Sequence, residues 1–428
     1  VPGEPAHDQR RARAGRGRLL GSGHFGPNTM RSMADRCRLL AGSVGPEREP
    51  ARPDSDDTGW FLPLHLRAPS AARERIVAQV GVGADVVVAP TWLTHRRALL
   101  PLGETRRAAE WSAAAVRLAR EAVELGLERR AEDLAEAAVA EDDVRQDRPA
   151  PLVAAVLPAL DDEPDVATGR LLPAESATAR DYRDQAGYLA DAEPDLILTE
   201  GQRSEADARI AIGEAVETGL PVWATLTRSA LAARGTDGWL EWAGGVGVSR
   251  VLLPGSPSDH AASMDAPLPW GGIPRAPETV GSWLDAGAGA IALLDGASEP
   301  AVQRLRKAID EHEQAAIAAE QADERRWWAM VERAAAMAPG GHAAWLGHAP
   351  ARPLPAGFAW LVLDVGEATR LPTGRYRLVV TAVDTGPLDH TLEPGGLIVG
   401  SPSPASRLRL LVLDETAEPP LAIYRRED

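Results

Sequence analysis

From residue 38 onward, short apolar runs alternate with longer stretches rich in Ala, Leu, Arg and Glu, and this alternation is the strongest constraint on the fold. Such alternation is typical of βα units that build a parallel sheet. The predicted strands cover residues 38–42, 85–89, 152–157, 195–199, 222–226, 250–253, 267–270 and 290–294. Eight units over about 280 residues suit a closed barrel better than an open doubly wound sheet. We therefore predict an α/β protein with a (β/α)8 TIM barrel over residues 37–325.

The stretches between the strands are predicted to be helices. They cover residues 71–82, 105–125, 178–191, 204–218, 238–244, 258–264, 277–286 and 299–321. Two connections are long, one over residues 43–70 and one over residues 126–150, which resembles a charged helix with a tail. Connections of this length are usually either functional lids or disordered segments, and their composition leaves both interpretations open.

The two ends of the chain differ from the middle. Residues 1–36 combine several Arg with Gly and Pro and have no apolar pattern, which predicts a disordered N-terminal extension. A start site placed too far upstream, with Met30 or Met33 as the natural start, gives the same pattern. Residues 340–428 alternate apolar and polar side chains between turn residues, which predicts a small β-rich appendage of antiparallel strands. The pair Trp327 and Trp328 is expected to pack this appendage onto the barrel.

The charge and cysteine content exclude several classes of protein. The net charge is −16, from 62 acidic and 46 basic side chains. Because such a surface repels polyphosphate over about 10 Å, we expect no nucleic acid partner. A single cysteine excludes an internal disulfide framework, and no apolar run approaches the ~20 residues needed to span a bilayer. We expect a cytoplasmic protein with no membrane partner.

Several spaced elements occur in the order found in one known family. They are Gly83-Ala84-Asp85 with Pro90-Thr91-Trp92, Ala115-Val116 with Leu118-Ala119-Arg120-Glu121-Ala122, Glu175-Ser176, Asp181-Tyr182, Gln185, Leu189, and Asp195 to Glu200. Together they resemble the homocysteine S-methyltransferase family over roughly residues 38–311. The resemblance implies a (β/α)8 barrel that transfers a methyl group to a thiol and holds a zinc ion with three cysteine thiolates.

The implied zinc site lacks its ligands in this sequence. Zinc activates a substrate thiol, whose ordinary pKa is about 8.5, by binding its sulfur in an open fourth position. The resemblance places one cysteine at the end of strand six, on or next to Pro254, and an adjacent pair on Asp295 and Gly296. The one cysteine, Cys37, begins strand one at the opposite end of the barrel and is expected to be a small buried hydrophobe. We predict that the zinc site is not retained and that the protein has no metal cofactor.

Two polar residues match the family pattern at the predicted barrel mouth. Thr91 matches the element after strand two, and Glu200 matches the Glu that ends strand four. The resemblance implies that both hold the amino-acid part of homocysteine. A carboxylate at this position is suited to accept hydrogen bonds from a ligand ammonium or to act as a base. The alternative is a salt bridge from Glu200 to Arg203 or Arg228. A frequent Asn of the family appears here as Ser112.

Trp92 and Asp295 complete the predicted ligand-binding set of Thr91, Trp92, Glu200 and Asp295. Trp92 is suited either to stack on a flat ligand or to pack in the core or a lid. Asp295 is suited either to bind the ligand or to cap the following helix. The sequence identifies no catalytic residue.

The histidines give weaker signals. His95 is followed by two arginines and is expected to be a solvated surface residue. His342, His348 and His390 lack a carboxylate at metal-ligand spacing, so we expect exposed side chains rather than a metal site.

These observations predict a divergent homocysteine S-methyltransferase-like protein that binds a small amino-acid-type ligand at the barrel mouth. Zinc-dependent methyl transfer is not expected. The alternative is a non-catalytic pseudoenzyme, which senses a metabolite or binds a protein partner through its C-terminal domain.

Overall fold

The computed structural model describes residues 36–42, 62–138, 148–160, 175–202, 204–263, 268–294, 297–338, 340–346, 353–363, 371–372, 374–384, 388, 391–401, 408–414 and 421–426. The described residues form two compact units, one up to Ala315 and one from Ala316 onward. The predicted extension over residues 1–36, apart from Arg36, lies outside the described residues, as do residues 43–61 and 139–147 of the two long connections.

The first unit is a closed barrel of parallel strands. In chain order these are β1 (Arg38–Ala41), β2 (Val86–Ala89), β3 (Leu152–Pro158), β4 (Leu196–Glu200), β5 (Val222–Thr225), β6 (Arg250–Pro254), β7 (Trp270–Ile273) and β8 (Ala290–Leu293). Each strand pairs with the next along the chain, and β8 pairs with β1 through Leu39 opposite Ile291 and Ala41 opposite Leu293. The predicted (β/α)8 barrel is thereby confirmed.

Helices connect the strands. They are α1 (Leu64–Arg67), α2 (Pro69–Gly81), α3 (Arg96–Leu99), α4 (Ala108–Ala138), α5 (Glu175–Asp191), α6 (Glu205–Val216), α7 (Arg228–Val246), α8 (Val280–Asp285) and α9 (Glu299–Met337). Helix α7 is longer than predicted because Thr227 caps it by accepting a hydrogen bond from the Ala230 N–H, and the helix breaks only at Gly235, where φ is 75°. Residues 257–263 form a 3-10 helix.

Side-chain alternation divides the barrel residues between two apolar layers. One layer fills the interior and includes Leu40, Val88, Leu198 and Trp223, whereas the neighbouring strand positions pack outward against the helices. This alternation follows from the two-residue period of a strand. It determines which polar residue at a strand end points into the barrel.

Aspartates at strand starts join neighbouring strands at the N-terminal end of the barrel. The Asp85 carboxylate accepts a hydrogen bond of 2.8 Å from the Leu39 N–H, and the Asp195 carboxylate accepts one of 2.7 Å from the Val153 N–H. These two residues of the family pattern therefore act as clamps between strands, far from the mouth.

The position predicted for the seventh strand was wrong by three residues, because β7 begins at Trp270 rather than ending there. Gly271 and Gly272 lie inside this strand. A Cβ on Gly272 would lie 2.3 Å from Trp283, and one on Gly271 would lie 2.5 Å from the Ala290 carbonyl oxygen. Close packing rather than a turn requires these glycines.

The second unit contains a six-stranded sheet. Its strands are β9 (Gly341–Leu346), β10 (Phe358–Leu363), β11 (Tyr376–Asp384), β12 (Leu392–Ser401), β13 (Leu408–Asp414) and β14 (Leu421–Arg426), in the order β10-β9-β11-β12-β14-β13. The prediction of antiparallel strands was wrong for four of them. Strands β10, β9, β11 and β12 are mutually parallel, and only β14 pairs antiparallel, with β12 and β13.

Both faces of the central strands are buried, as is usual in parallel sheets. Ala343 and Trp345 of β9 pack in one apolar cluster, and Ala344 and Leu346 pack in another. Trp328 stacks on Trp345 with ring centroids 5.5 Å apart, and Trp327 contacts the same ring edge-on. The tryptophan pair is thus part of the core of the second unit. Within the described part of the chain, no helix is both long and apolar enough to cross a membrane.

We predict that Gly272→Ala destabilises the barrel by about 1–3 kcal/mol, because its methyl group overlaps the Trp283 ring. The control is Gly213→Ala in α6, where an added Cβ meets no atom within 4 Å and is expected to stabilise the helix by about 0.5–1 kcal/mol. Urea unfolding followed by circular dichroism measures both. Equal stability of the two variants would show that β7 is not packed in this way.

Candidate functional site at the barrel mouth

Glu200 points into the barrel at its C-terminal end. It is the last residue of β4, and Leu196 and Leu198 on the same strand face belong to the interior layer. Its side chain is buried, with 7% of the residue exposed. Its backbone carbonyl accepts a hydrogen bond of 2.9 Å from the Ala159 N–H, which holds the ends of β3 and β4 together. The predicted position of Glu200 at the barrel mouth therefore agrees with the structure.

Trp92 lies beside the backbone that follows Glu200. Gly201 adopts a φ of 85°, a conformation that favours glycine, and a Cβ there would lie 3.2 Å from the Trp92 ring. Trp92 is half-buried and packs against the interior layer. The indole and the Gly201 backbone thus form one wall next to the Glu200 position.

Thr91 holds this wall to the neighbouring strand. Its hydroxyl accepts a hydrogen bond of 2.8 Å from the Val156 N–H and donates one of 3.1 Å to the Val156 carbonyl. The residue is fully buried. In this arrangement the Thr91 side chain fixes the loop that carries Trp92, and a direct contact of Thr91 with a ligand stays a prediction.

A buried polar network continues from Thr91 to the helices. The Thr94 hydroxyl donates to the Thr91 carbonyl at 2.8 Å and lies 2.8 Å from the Ser112 hydroxyl. The Gln185 amide donates to both hydroxyls, at 3.1 Å and 3.3 Å. Gln185 was recognised only as part of a family pattern, and its role is to tie α5 to α4 and to the loop after β2.

A second set of contacts anchors the loop after β3. Arg97 donates to the Asp181 carboxylate at 2.7 Å and to the Leu160 carbonyl at 2.9 Å. The Tyr182 hydroxyl accepts from the Leu160 N–H at 3.0 Å and donates to Asp207 at 2.5 Å. The sequence gives no signal for Arg97 or Asp207, because their partners are 84 and 25 residues away in the chain.

Two histidines near the mouth are buried, and one of them corrects an expectation. His95, predicted to be solvated, is only 9% exposed, and its Nδ1 caps α3 by accepting the Ala98 N–H at 3.3 Å. Burial lowers the pKa of His95 to about 4, and the nearby Arg97 acts in the same direction. Burial likewise lowers the pKa of His65, in α1, to about 4. The burial of His65 could not be predicted from the sequence, because α1 has only four residues and follows a long connection.

The strand ends that correspond to the family's zinc ligands carry other groups. Pro254 ends β6, and its carbonyl is 2.9 Å from His260 Nε2, while Thr236 is 2.9 Å from His260 Nδ1. Asp295 and Gly296 lie outside the described residues, so the predicted role of Asp295 is not described. Cys37 is buried directly before β1, at the opposite end of the barrel, and burial raises the pKa of its thiol to about 12.

The described residues contain no cluster of three or more His, Cys, Asp or Glu side chains suited to a metal ion. His342 is exposed on β9, as predicted, whereas His348 and His390 lie outside the described residues, as does Arg203, a suggested partner of Glu200. Of the predicted ligand-binding set, the structure brings Thr91, Trp92 and Glu200 together around the ends of β2, β3 and β4.

The chain is therefore a (β/α)8 barrel protein with an additional C-terminal sheet. Residues 58–239 match the family model described as homocysteine S-methyltransferase, which confirms the resemblance over that range. The match covers less than half of the chain and ends in α7, before β6.

Comparison with solved structures found the homocysteine methyltransferase MmuM from Escherichia coli in oxidized, metallated and apo forms. The oxidized form has 18% identity, a TM-score of 0.48, and coverage of 63% of this chain and 95% of that chain. The metallated form has 19% identity, a TM-score of 0.48, and coverage of 65% of this chain and 99% of that chain. A dihydrodipicolinate synthase from Oceanobacillus iheyensis has 12% identity, a TM-score of 0.37, and coverage of 69% and 80%. No curated protein sequence matches the chain.

The lowered pKa values of the buried histidines predict a loss of stability in mild acid. Because the unfolded His95 takes up a proton below about pH 6.5 while the folded one stays neutral to about pH 4, the stability present above pH 6.5 is lost as the pH falls toward 4. At pH 5 each such histidine lowers the free energy of unfolding by about 2 kcal/mol relative to neutral pH. His95→Asn keeps a capping oxygen and removes the titration, so it should reduce this loss.

Urea unfolding at pH 7.5 and pH 5 measures the effect, with the exposed His342→Asn as the matched control. A pH dependence in His95→Asn that equals that of His342→Asn would contradict the assignment.

Proposed function

We propose that the barrel mouth binds a small amino-acid-type ligand whose ammonium group donates hydrogen bonds to Glu200, and that zinc-thiolate methyl transfer is not retained. The observation that carries this proposal is the buried carboxylate of Glu200 at the inward-facing last position of β4. Active sites of (β/α)8 barrels lie at this end of the strands.

The surroundings of Glu200 favour a cationic group. Placing a carboxylate in an apolar interior has a large desolvation cost, which a charged hydrogen-bond donor offsets. Leu198 lies before it on the same face, and the Trp92 ring lies over Gly201 directly after it. Electrostatic attraction to an ammonium is therefore stronger here than on the surface.

The buried polar network supports a preorganised site. Thr91 holds the Trp92 loop to β3 through two hydrogen bonds, and Thr94 and Gln185 hold the same loop to the helices. A site whose walls are held by such contacts needs little rearrangement to bind a ligand. The family match over residues 58–239 includes all of these positions.

The donor atoms in this chain do not fit the family's zinc ion. A thiolate site of that kind needs three cysteines, and the chain has one. That thiol, Cys37, lies at the opposite end of the barrel, and with its pKa raised to about 12 it stays protonated at neutral pH. We therefore assign the described mouth residues to binding and orienting the ligand and derive no step through a metal.

We predict that Glu200→Gln weakens the binding of L-homocysteine about tenfold to hundredfold, because a hydrogen bond between charged groups is lost. The analogue 4-mercaptobutanoic acid lacks the ammonium, so its weaker binding should not respond to the substitution. Isothermal titration calorimetry under reducing conditions measures both affinities.

The control variant is Glu217→Gln, which makes the same chemical change on an exposed residue after α6. It should bind as the wild type does. Equal affinity of wild type and Glu200→Gln for homocysteine, or no binding of homocysteine or methionine by the wild type, would refute the proposal.

We also predict that the purified protein contains well below one zinc ion per chain, because soft thiolate donors are missing. Elemental analysis after dialysis at neutral pH measures this, and Cys37→Ala should leave the zinc content unchanged. A stoichiometric zinc ion in the wild type would contradict the proposed loss of the site.

A further inference from the structure

A cavity of about 90 Å³ opens at the N-terminal end of the barrel, opposite Glu200. It lies where β1, β2 and β3 begin, and Pro149, Ala150 and Leu152 form part of its wall. The charged residues that line it are Arg36, Arg38, Asp85, Arg148, Arg306 and Glu313. All of them belong to the first unit.

The carboxylates at this cavity already have hydrogen-bond partners. Asp85 Oδ2 accepts the Leu39 N–H and Arg306 Nη1, each at 2.8 Å. Glu313 accepts the Cys37 N–H at 3.0 Å. Asp310, next to the lining, is shared between Arg148 at 2.6 Å and Arg306 at 2.9 Å. The Asp310 carboxylate thus forms ion pairs with two guanidinium groups.

The guanidinium groups are less fully paired than the carboxylates. Arg306 is only 6% exposed, and its Nε has no hydrogen-bond acceptor. Arg38 lines the cavity and has no carboxylate partner within the described ranges of the chain. Arg250, which does not line the cavity, donates to the Trp270 carbonyl and stacks on Trp223.

The local charge is therefore opposite to that of the whole chain. The lining contains four arginines and two carboxylates, and Asp310 beside it is a third carboxylate, so arginines remain in excess although the chain has a net charge of −16. Concentrating cations around a concave space raises the local positive potential and attracts anions. Arg38 is half-buried and has no carboxylate partner in the described part of the chain, so it is suited to bind an anion.

We propose that this cavity is a second ligand site, which binds a phosphate-sized oxyanion between Arg38 and Arg306. Guanidinium groups match the geometry of phosphate oxygens. A cavity of about 90 Å³ has room for a small oxyanion. The anion is either free phosphate or the phosphate group of a larger metabolite whose remainder lies outside the cavity.

The test is calorimetric titration of the full chain with orthophosphate and with glycerol 3-phosphate, against potassium chloride of equal ionic strength. We expect binding of phosphate beyond the chloride reference. Arg38→Gln should weaken this binding about tenfold, because one charged hydrogen bond is lost. Ala150→Glu, which adds a carboxylate at an exposed lining position, should abolish it.

The matched control is Arg117→Gln, which removes an exposed arginine of α4 outside the cavity lining and should leave phosphate affinity unchanged. Urea unfolding without phosphate verifies that each variant is folded. Tighter binding of glycerol 3-phosphate than of orthophosphate would identify a metabolite as the source, and the reverse would identify the free ion.

Two results would overturn the proposal. One is phosphate binding no stronger than the ionic-strength reference, and the other is wild-type affinity in both Arg38→Gln and Ala150→Glu. Glu200→Gln should leave phosphate affinity unchanged, since Glu200 lies at the other end of the barrel. A loss of phosphate affinity in Glu200→Gln would indicate that the anion binds at the mouth, and it would refute the proposed cavity site. The two proposals are therefore tested separately.

Discussion

The parallel pairing of β8 with β1 closes the barrel sheet, and the placement of every polar group discussed above depends on that closure. Closure directs alternate side chains inward and brings all eight strand ends of one kind to the same end. Glu200, as the last inward residue of β4, therefore lies at the mouth, whereas Cys37, before β1, lies at the opposite end. The separation between the Glu200 carboxylate and the Cys37 thiol is a consequence of topology rather than of local sequence.

The two ends of the barrel use buried polar groups differently. At the mouth, hydroxyl and amide groups of Thr91, Thr94 and Gln185 bond to one another and to backbone groups, and these contacts hold the loop that carries Trp92. At the other end, Asp85 joins two strands and also pairs with Arg306, in a cluster where arginines outnumber carboxylates. We propose a cationic ligand group at the first end and an anion at the second, because a group of opposite charge offsets the cost of burying a charged side chain.

Much of the barrel was predictable, because the period of apolar residues and the length of each run reflect burial directly. The burial of Cys37 was predicted because a lone cysteine is a small hydrophobe, and the strand-end position of Glu200 was predicted from the family resemblance. The pattern was wrong where a tertiary contact overrode it. Gly271 and Gly272 lie inside β7, where Trp283 and Ala290 pack against them, and His95 is buried while its ring caps α3. The predicted antiparallel direction of β9 to β12 was also wrong, because the alternation of apolar and polar residues does not determine which strands are neighbours in the sheet.

The sequence by itself determined the number of βα units, the family resemblance over residues 58–239 and the shortage of thiol ligands, because these depend on residue types and their spacing. Only the tertiary structure decided that Thr91 bonds to Val156, that Arg97 reaches Asp181, and that an arginine-rich cavity forms where three strands begin. Those contacts join residues separated by 65, 84 and more positions, and they exist only once closure of the sheet brings the distant segments together.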